Sequence, residues 1–182
     1  MTTQAKRTLS TRALVESALL VAAGFALSYL VLFEMPSGGS VTAVSMLPVL
    51  LVGLRRGPRL GLMAGVVFGG LQMLQKFWAP PTRTFWAFVA VVALDYVIAF
   101  GVLGLSGLFR KWRWGLLAAV PVCLGLRFVC HWTVGAIIWY MGEINPWVLS
   151  AGYNAPYMAI ELATTAAAAV VLCGKKLDRL ML

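Results

Sequence analysis

The stretch RFVCHWTVGAIIWY, residues 127–140, sets a cation and the chain's only histidine inside a long apolar run. Four-residue steps from Arg127 reach His131, Gly135 and Trp139, and residues three and four apart share one face of a helix. One stripe therefore carries a guanidinium, an imidazole, a gap without a side chain and a large aromatic ring. A run this apolar reads as a membrane helix, where a charge facing acyl chains costs several kcal/mol. The stripe must face protein or a water-filled cavity. It reads as one wall of a small-molecule pocket, with the rest of the chain supplying the other walls.

Outward from this stretch the whole chain is apolar. Of 182 residues, 61% are hydrophobic and 12% charged, with a mean hydropathy of +0.88. A soluble domain is about half apolar and a quarter charged. The chain is expected to be an all-α integral membrane protein. A span needs roughly 20 apolar residues, so the length suits about six helices in one membrane domain over 1–182. No room remains for a separate ATPase domain, and no GxxxxGK[ST] loop occurs. Cys123, Cys130 and Cys173 lie in apolar runs without CxxC spacing, and one histidine does not make a zinc site; they read as small core residues, and no metal is expected.

The expected spans are 12–32, 41–54, 60–77, 85–109, 115–141 and 148–173. The first is longer than a signal-peptide core and reads as a retained helix. Within it Ala18, Ala22 and Ala26 form a small-residue stripe, suited to close approach of another helix, from this chain or a partner. FEMPSGGS (33–40) reads as a loop. The span after it is short, about 20 Å, so the loop is expected to dip toward the cavity of His131, because irregular backbone at that depth must line a cavity or be buried. Gly61, Gly65 and Gly69 make a second small-residue stripe, and the last span is expected to open irregularly at SAGYNAP (150–156).

The net charge of +9 is parcelled into clusters between apolar runs, which argues for topology signals and against nucleic acid. Lys6, Arg7 and Arg12, then Arg55, Arg56 and Arg59, then Arg110, Lys111 and Arg113, then Lys175, Lys176 and Arg179 fall on one side. The other side has only Lys76 and Arg83. The positive-inside rule then puts both termini in the cytoplasm.

With that orientation, His131, Trp139, Tyr153 and Asn154 share a level in the outer half. Arg127 and Glu161 share a deeper one, where they are expected to pair structurally, outside the ligand site. Asp95, beside Tyr96, is left without a basic partner at its level. A carboxylate near aromatic faces suits a flat organic cation. Phe33, Trp78, Trp86, Tyr140, Trp147 and Tyr153 otherwise read as an interfacial belt.

Four ordered stretches carry a resemblance: MPSGGSVTAVSMLPVLLVGLRRG (35–57), LDYVIAFGVLGLSG (94–107), RFVCHWTVGAIIW (127–139) and YNAPYMAIEL (153–162). Over essentially its whole length the chain resembles the thiamine-specific S-components, the substrate-binding membrane subunits of energy-coupling factor transporters. The resemblance implies a six-helix fold in the bacterial cell membrane, with thiamine bound near the outer face and no cofactor. It places Asp95 at an acidic position that is more often glutamate, and Tyr96, His131, Trp139 and Asn154 at ligand-contacting positions. Leu149 falls where a tyrosine occurs in some members, and Pro36 or Ser37 stands where some carry an aromatic. It also implies that Ala18, Ala22 and Ala26 dock to a transmembrane coupling subunit driven by two ATPases. Three other readings stay open on the residues: an S-component for another vitamin, a membrane enzyme using His131 as base, and a structural subunit. An apolar vitamin would leave Asp95 without a purpose, and no nucleophile–base–acid set is visible.

Overall fold

The computed structural model describes residues 10–36 and 38–174. Lys6, Arg7, Ser37, Lys175, Lys176 and Arg179 lie outside the described residues. Helix α1, Thr11–Ser28, begins where Ser10 Oγ accepts a hydrogen bond from the Ala13 amide, the usual service of a serine cap. Its inward line is Ala13, Ser17, Val21, Gly24 and Ser28. Ala18, Ala22 and Ala26 lie on the exposed face, so the stripe packs against nothing within the described residues.

The expectation of helix through residue 32 and again from 41 is corrected here. From Val31 the chain enters a β-hairpin. Strand β1, Val31–Glu34, pairs antiparallel with β2, Ser40–Thr42, setting Phe33 opposite Val41 and Glu34 opposite Ser40. Val31, Val41 and Thr42 are β-branched and favour extended backbone. Gly38 closes the turn at φ +94°, and any side chain there would also collide with the Trp78 indole. Among the described residues the protein is therefore mostly helical, with one two-stranded sheet that the sequence reading did not include.

Helix α2 shrinks to Leu47–Arg56, about 15 Å at 1.5 Å per residue. Helix α3, Pro58–Gln75, follows a turn at Gly57. Rod α4, Phe85–Phe109, has the expected bounds but is not uniform. It begins as α-helix capped by Thr84, widens to π-helix over Val92–Ile98, and tightens to a 3₁₀ form over Val102–Phe109. Rod α5, Gly115–Trp139, likewise ends in a π-helical turn at Gly135–Trp139. Helix α6, Pro146–Gly174, runs unbroken through Pro156. The irregular start expected at 150–156 is absent: Asn154 donates to the Ser150 carbonyl within the helix, and the Ser150 hydroxyl donates to the Trp132 carbonyl of α5.

Among the described residues α1, α4, α5 and residues 146–173 of α6 are long and apolar enough to cross a membrane. Their outer faces carry exposed Leu19, Trp86, Val129 and Val170, as expected of helices that are apolar all round. The main core sits between α2, α3, α4 and α5, around Leu50, Phe68, Leu103, Leu116 and Val120. At the basic end Glu16 of α1 pairs with both Arg55 and Arg56 of α2.

The glycine stripe of α3 brings two backbones into contact. A Cβ at Gly61 would stand 2.7 Å from the Gly104 carbonyl oxygen, and side chains at Gly65 and Gly69 would collide with the carbonyls of Phe100 and Tyr96. This contact holds the π-helical part of α4, with Asp95, against the end of α3. Gly104→Ala would drive a methyl into the Gly61–Leu62 backbone, which no rotamer relieves. Overpacking of this kind costs about 1–3 kcal/mol, and each kcal/mol shifts the midpoint by about 2–4 °C in a protein of this size. A thermal melt should show that loss, whereas Gly70→Ala, with nothing within 4 Å, should not.

Candidate functional site

At the end of the bundle away from the Arg55–Arg56 turn lies a cavity of about 290 Å³. The hairpin, the end of α3, the π-helical part of α4, α5 and α6 all contribute walls. A π-turn admits an extra residue through i→i+5 bonding and re-aims the side chains beyond it; such turns recur at functional sites. Here one carries Asp95 and the other Trp139.

His131 and Trp139 both meet the Asp95 carboxylate. Asp95 Oδ1 lies 2.7 Å from His131 Nδ1, and Trp139 Nε1 donates to Asp95 Oδ2 at 3.4 Å. A carboxylate can only accept, so Nδ1 carries the proton of the shorter contact. Asp95 is thus not without a basic partner, as its position along the chain suggested. Its partner comes from α5, a relation between helices that spacing within one helix does not reveal. His131 Nε2 is buried with no hydrogen-bond partner among the described residues, as are Gln72 Nε2 and Trp78 Nε1. All three residues line the cavity. Buried polar atoms are rarely left unpaired, so this wall is built to exchange hydrogen bonds with a guest, Gln72 Nε2 and Trp78 Nε1 donating and His131 Nε2 accepting.

The other sequence candidates divide by task. Tyr96 lies in the wall, but its hydroxyl donates to the Lys76 carbonyl and accepts from the Trp78 amide, holding the α3–α4 loop. Tyr153 accepts from the Gly39 amide at 3.0 Å and so fixes the hairpin. A side chain at Gly39 would meet the Tyr157 ring. Asn154 is engaged within α6, donating to the Ser150 carbonyl and accepting from Tyr157 Oη at 2.7 Å. Gly135 borders the cavity, but the gap it leaves is filled by Ser150, whose hydroxyl a Cβ there would strike; its role is close approach of α6. Burial, with Tyr153 adding to it, pushes the Tyr140 phenol up, so this rim hydroxyl is neutral at ordinary pH.

Arg127 and Glu161 pair as expected, at 2.7 Å, with 7% and 2% of their surfaces exposed. Glu161 also accepts from the Thr42 amide and hydroxyl, and Arg127 lies over the Phe100 ring at 4.7 Å. The pair therefore ties α5 and α6 to β2. The expectation that Arg127 stands outside the site is corrected in part, since it also lines the cavity floor. At the mouth Lys76 pairs with Glu34 of β1.

Gln72, Trp78, Lys76 and Glu34 were missed as site residues. Trp78, like Tyr140, reads from the sequence as part of an interfacial belt and lines the cavity instead, and Tyr153, expected in the ligand site, lines it too. The available signal was Gln72 with Gln75, two amides three residues apart in an apolar helix. Gln75 accepts from Ser28 and ties α3 to α1.

Comparison with known proteins agrees with this architecture. A family model described as thiamine transporter protein matches residues 14–181. Thiamine transporter ThiT of Bacillus subtilis (strain 168) is 31% identical over 182 residues, spanning 88% of each chain. A solved structure of ThiT from Listeria monocytogenes superposes with a TM-score of 0.74 at 19% identity, covering 92% of this chain and 96% of that one. That likeness carries the fold, and the sequence matches carry the kinship. The chain belongs to the thiamine transporter protein family.

Proposed function

We propose that the chain is the thiamine-binding S-component of an energy-coupling factor importer in the bacterial cell membrane, and that it is not an enzyme. The observation that carries this reading is the Asp95–His131–Trp139 cluster, facing a cavity whose lining residues Gln72, Trp78, Arg127 and His131 each hold a buried nitrogen without a partner among the described residues. Thiamine has the complementary chemistry. Its thiazolium is a permanent flat cation, matched by the Trp139 ring and the Asp95 charge. Its aminopyrimidine presents donors and acceptors for His131 Nε2, Trp78 Nε1 and Gln72. The cavity, about 290 Å³, is at the small end of the usual range for ligand sites, which suits a vitamin of this size.

The reading includes six spans, with α2 and the hairpin together making the second, and both termini in the cytoplasm. The cavity then opens outward. The exposed Ala18, Ala22 and Ala26 of α1 offer a flat surface for the coupling subunit, which two ATPases drive; the site itself needs no cofactor.

Titration of the purified protein with thiamine, followed by quenching of tryptophan emission, tests the assignment. Saturation at micromolar or lower ligand is expected, and its absence, or tighter binding of a different vitamin, overturns it. Trp139→Ala should weaken binding by about tenfold or more, the worth of a desolvated cation–π contact, while Cys130→Ala should not. Ala22→Trp places bulk on the outward stripe. It is expected to abolish thiamine uptake by cells while leaving thiamine binding by the purified subunit unchanged.

A further inference from the structure

At the end of the bundle opposite the cavity, two turns form one basic surface. Gly107 of α4 packs on the backbone of Gly57 and Pro58, and an Arg110 Nη1 stands 3.1 Å from the place of a Gly57 Cβ. The 55–59 and 109–115 turns are therefore neighbours. Glu16 is the one acid at this end among the described residues, and Arg55 and Arg56 already neutralise it. Arg59, Arg110, Lys111 and Arg113 are all exposed and join no ion pair among the described residues. Beside them Trp112 and Trp114 are 60% and 54% exposed, with the Arg113 guanidinium 5.4 Å from the Trp114 ring centre. Leu108 is exposed next to them.

We infer that this surface is a binding site for the headgroups of anionic phospholipids. Cations without counter-charges attract phosphate-bearing headgroups. Exposed indoles settle at the boundary between headgroups and acyl chains. An acidic protein would answer the charge, but it would not answer two indoles and a leucine placed where the apolar flanks of the bundle end. The inference rests on the membrane setting of the chain and not on the identity of its ligand.

The test reconstitutes the full chain in phosphatidylcholine bilayers and measures association of spin-labelled phosphatidylglycerol against spin-labelled phosphatidylcholine. The expected preference for phosphatidylglycerol is at least roughly fivefold, the effect of about one fully felt cation. Arg59→Gln/Arg110→Gln/Lys111→Gln/Arg113→Gln should remove the preference, and Arg59→Lys/Arg110→Lys/Arg113→Lys, which retains the charge, should keep most of it. A thermal melt of each variant followed by intrinsic fluorescence reports whether it is folded; if the quadruple variant is not, Arg110→Gln and Lys111→Gln, which should each lower the preference, are read singly. Equal association of the two lipids with the wild type overturns the inference, as does a preference that survives loss of the four charges. A glutamine variant that keeps its lipid preference but no longer assembles with a coupling complex overturns it in favour of a protein partner.

Discussion

Asp95→Ala is expected to weaken thiamine binding by about two to three orders of magnitude, the largest effect of any single cavity substitution. Truncating one member of a buried, hydrogen-bonded charge pair costs about 2–5 kcal/mol in binding, and each 1.4 kcal/mol is about tenfold. Three losses coincide at this carboxylate. The thiazolium loses its counter-charge in a site partly closed to water. His131 loses the acceptor at 2.7 Å that orients its ring. Trp139 loses the acceptor for its indole N–H, and with it the restraint on the ring that would cover the cation. Asp95→Asn retains an acceptor and loses the charge, so it should fall between wild type and Asp95→Ala. Tryptophan quenching across a thiamine titration measures all three. Equal affinities would place the cation elsewhere in the cavity.

Glu161→Leu is expected to cost about 3–5 kcal/mol of stability, because it strands the Arg127 guanidinium in the interior. In a protein of this size that lowers the thermal midpoint by about 6–20 °C. The loss extends to the hairpin, since Glu161 also accepts from the Thr42 amide and hydroxyl. Arg127→Met/Glu161→Leu removes both charges and should recover much of the midpoint, as apolar replacements of buried pairs do elsewhere. The residual deficit should appear as weaker thiamine binding, because β2 then lacks its tie to α6. Melts followed by intrinsic fluorescence, read beside the titration, separate the two effects. A double variant no more stable than the single one would show that the pair stabilises beyond its mutual neutralisation.

The class of fold was legible in the sequence because lipid imposes one rule: long apolar runs become helices that satisfy their own backbone. The bounds of α4 and the partnership of Arg127 with Glu161 followed from that rule and from the cost of an unpaired charge. The glycine stripe on α3 was legible separately, as small residues spaced for close helix packing, and it packs on α4. The hairpin at Val31–Thr42 was not legible. Its strands are four and three residues long, and periodicity needs a longer window than that.

The sequence by itself determined which polar groups the membrane would not tolerate on its lipid side, and therefore that Asp95, His131, Asn154 and Glu161 belong to the interior. Only the tertiary structure decided which of them meet. Two π-helical turns, at Val92–Ile98 and Gly135–Trp139, carry Asp95 and Trp139, and the Asp95 carboxylate there meets both His131 and Trp139. Tyr153 and Asn154, placed at the same level by sequence, are committed to the hairpin and to α6. The reason is physical: residue type and spacing set the depth and face of a side chain on its own helix. Its partner depends on how neighbouring backbones pack, and here glycines at 61, 65, 69 and 135 decide that approach.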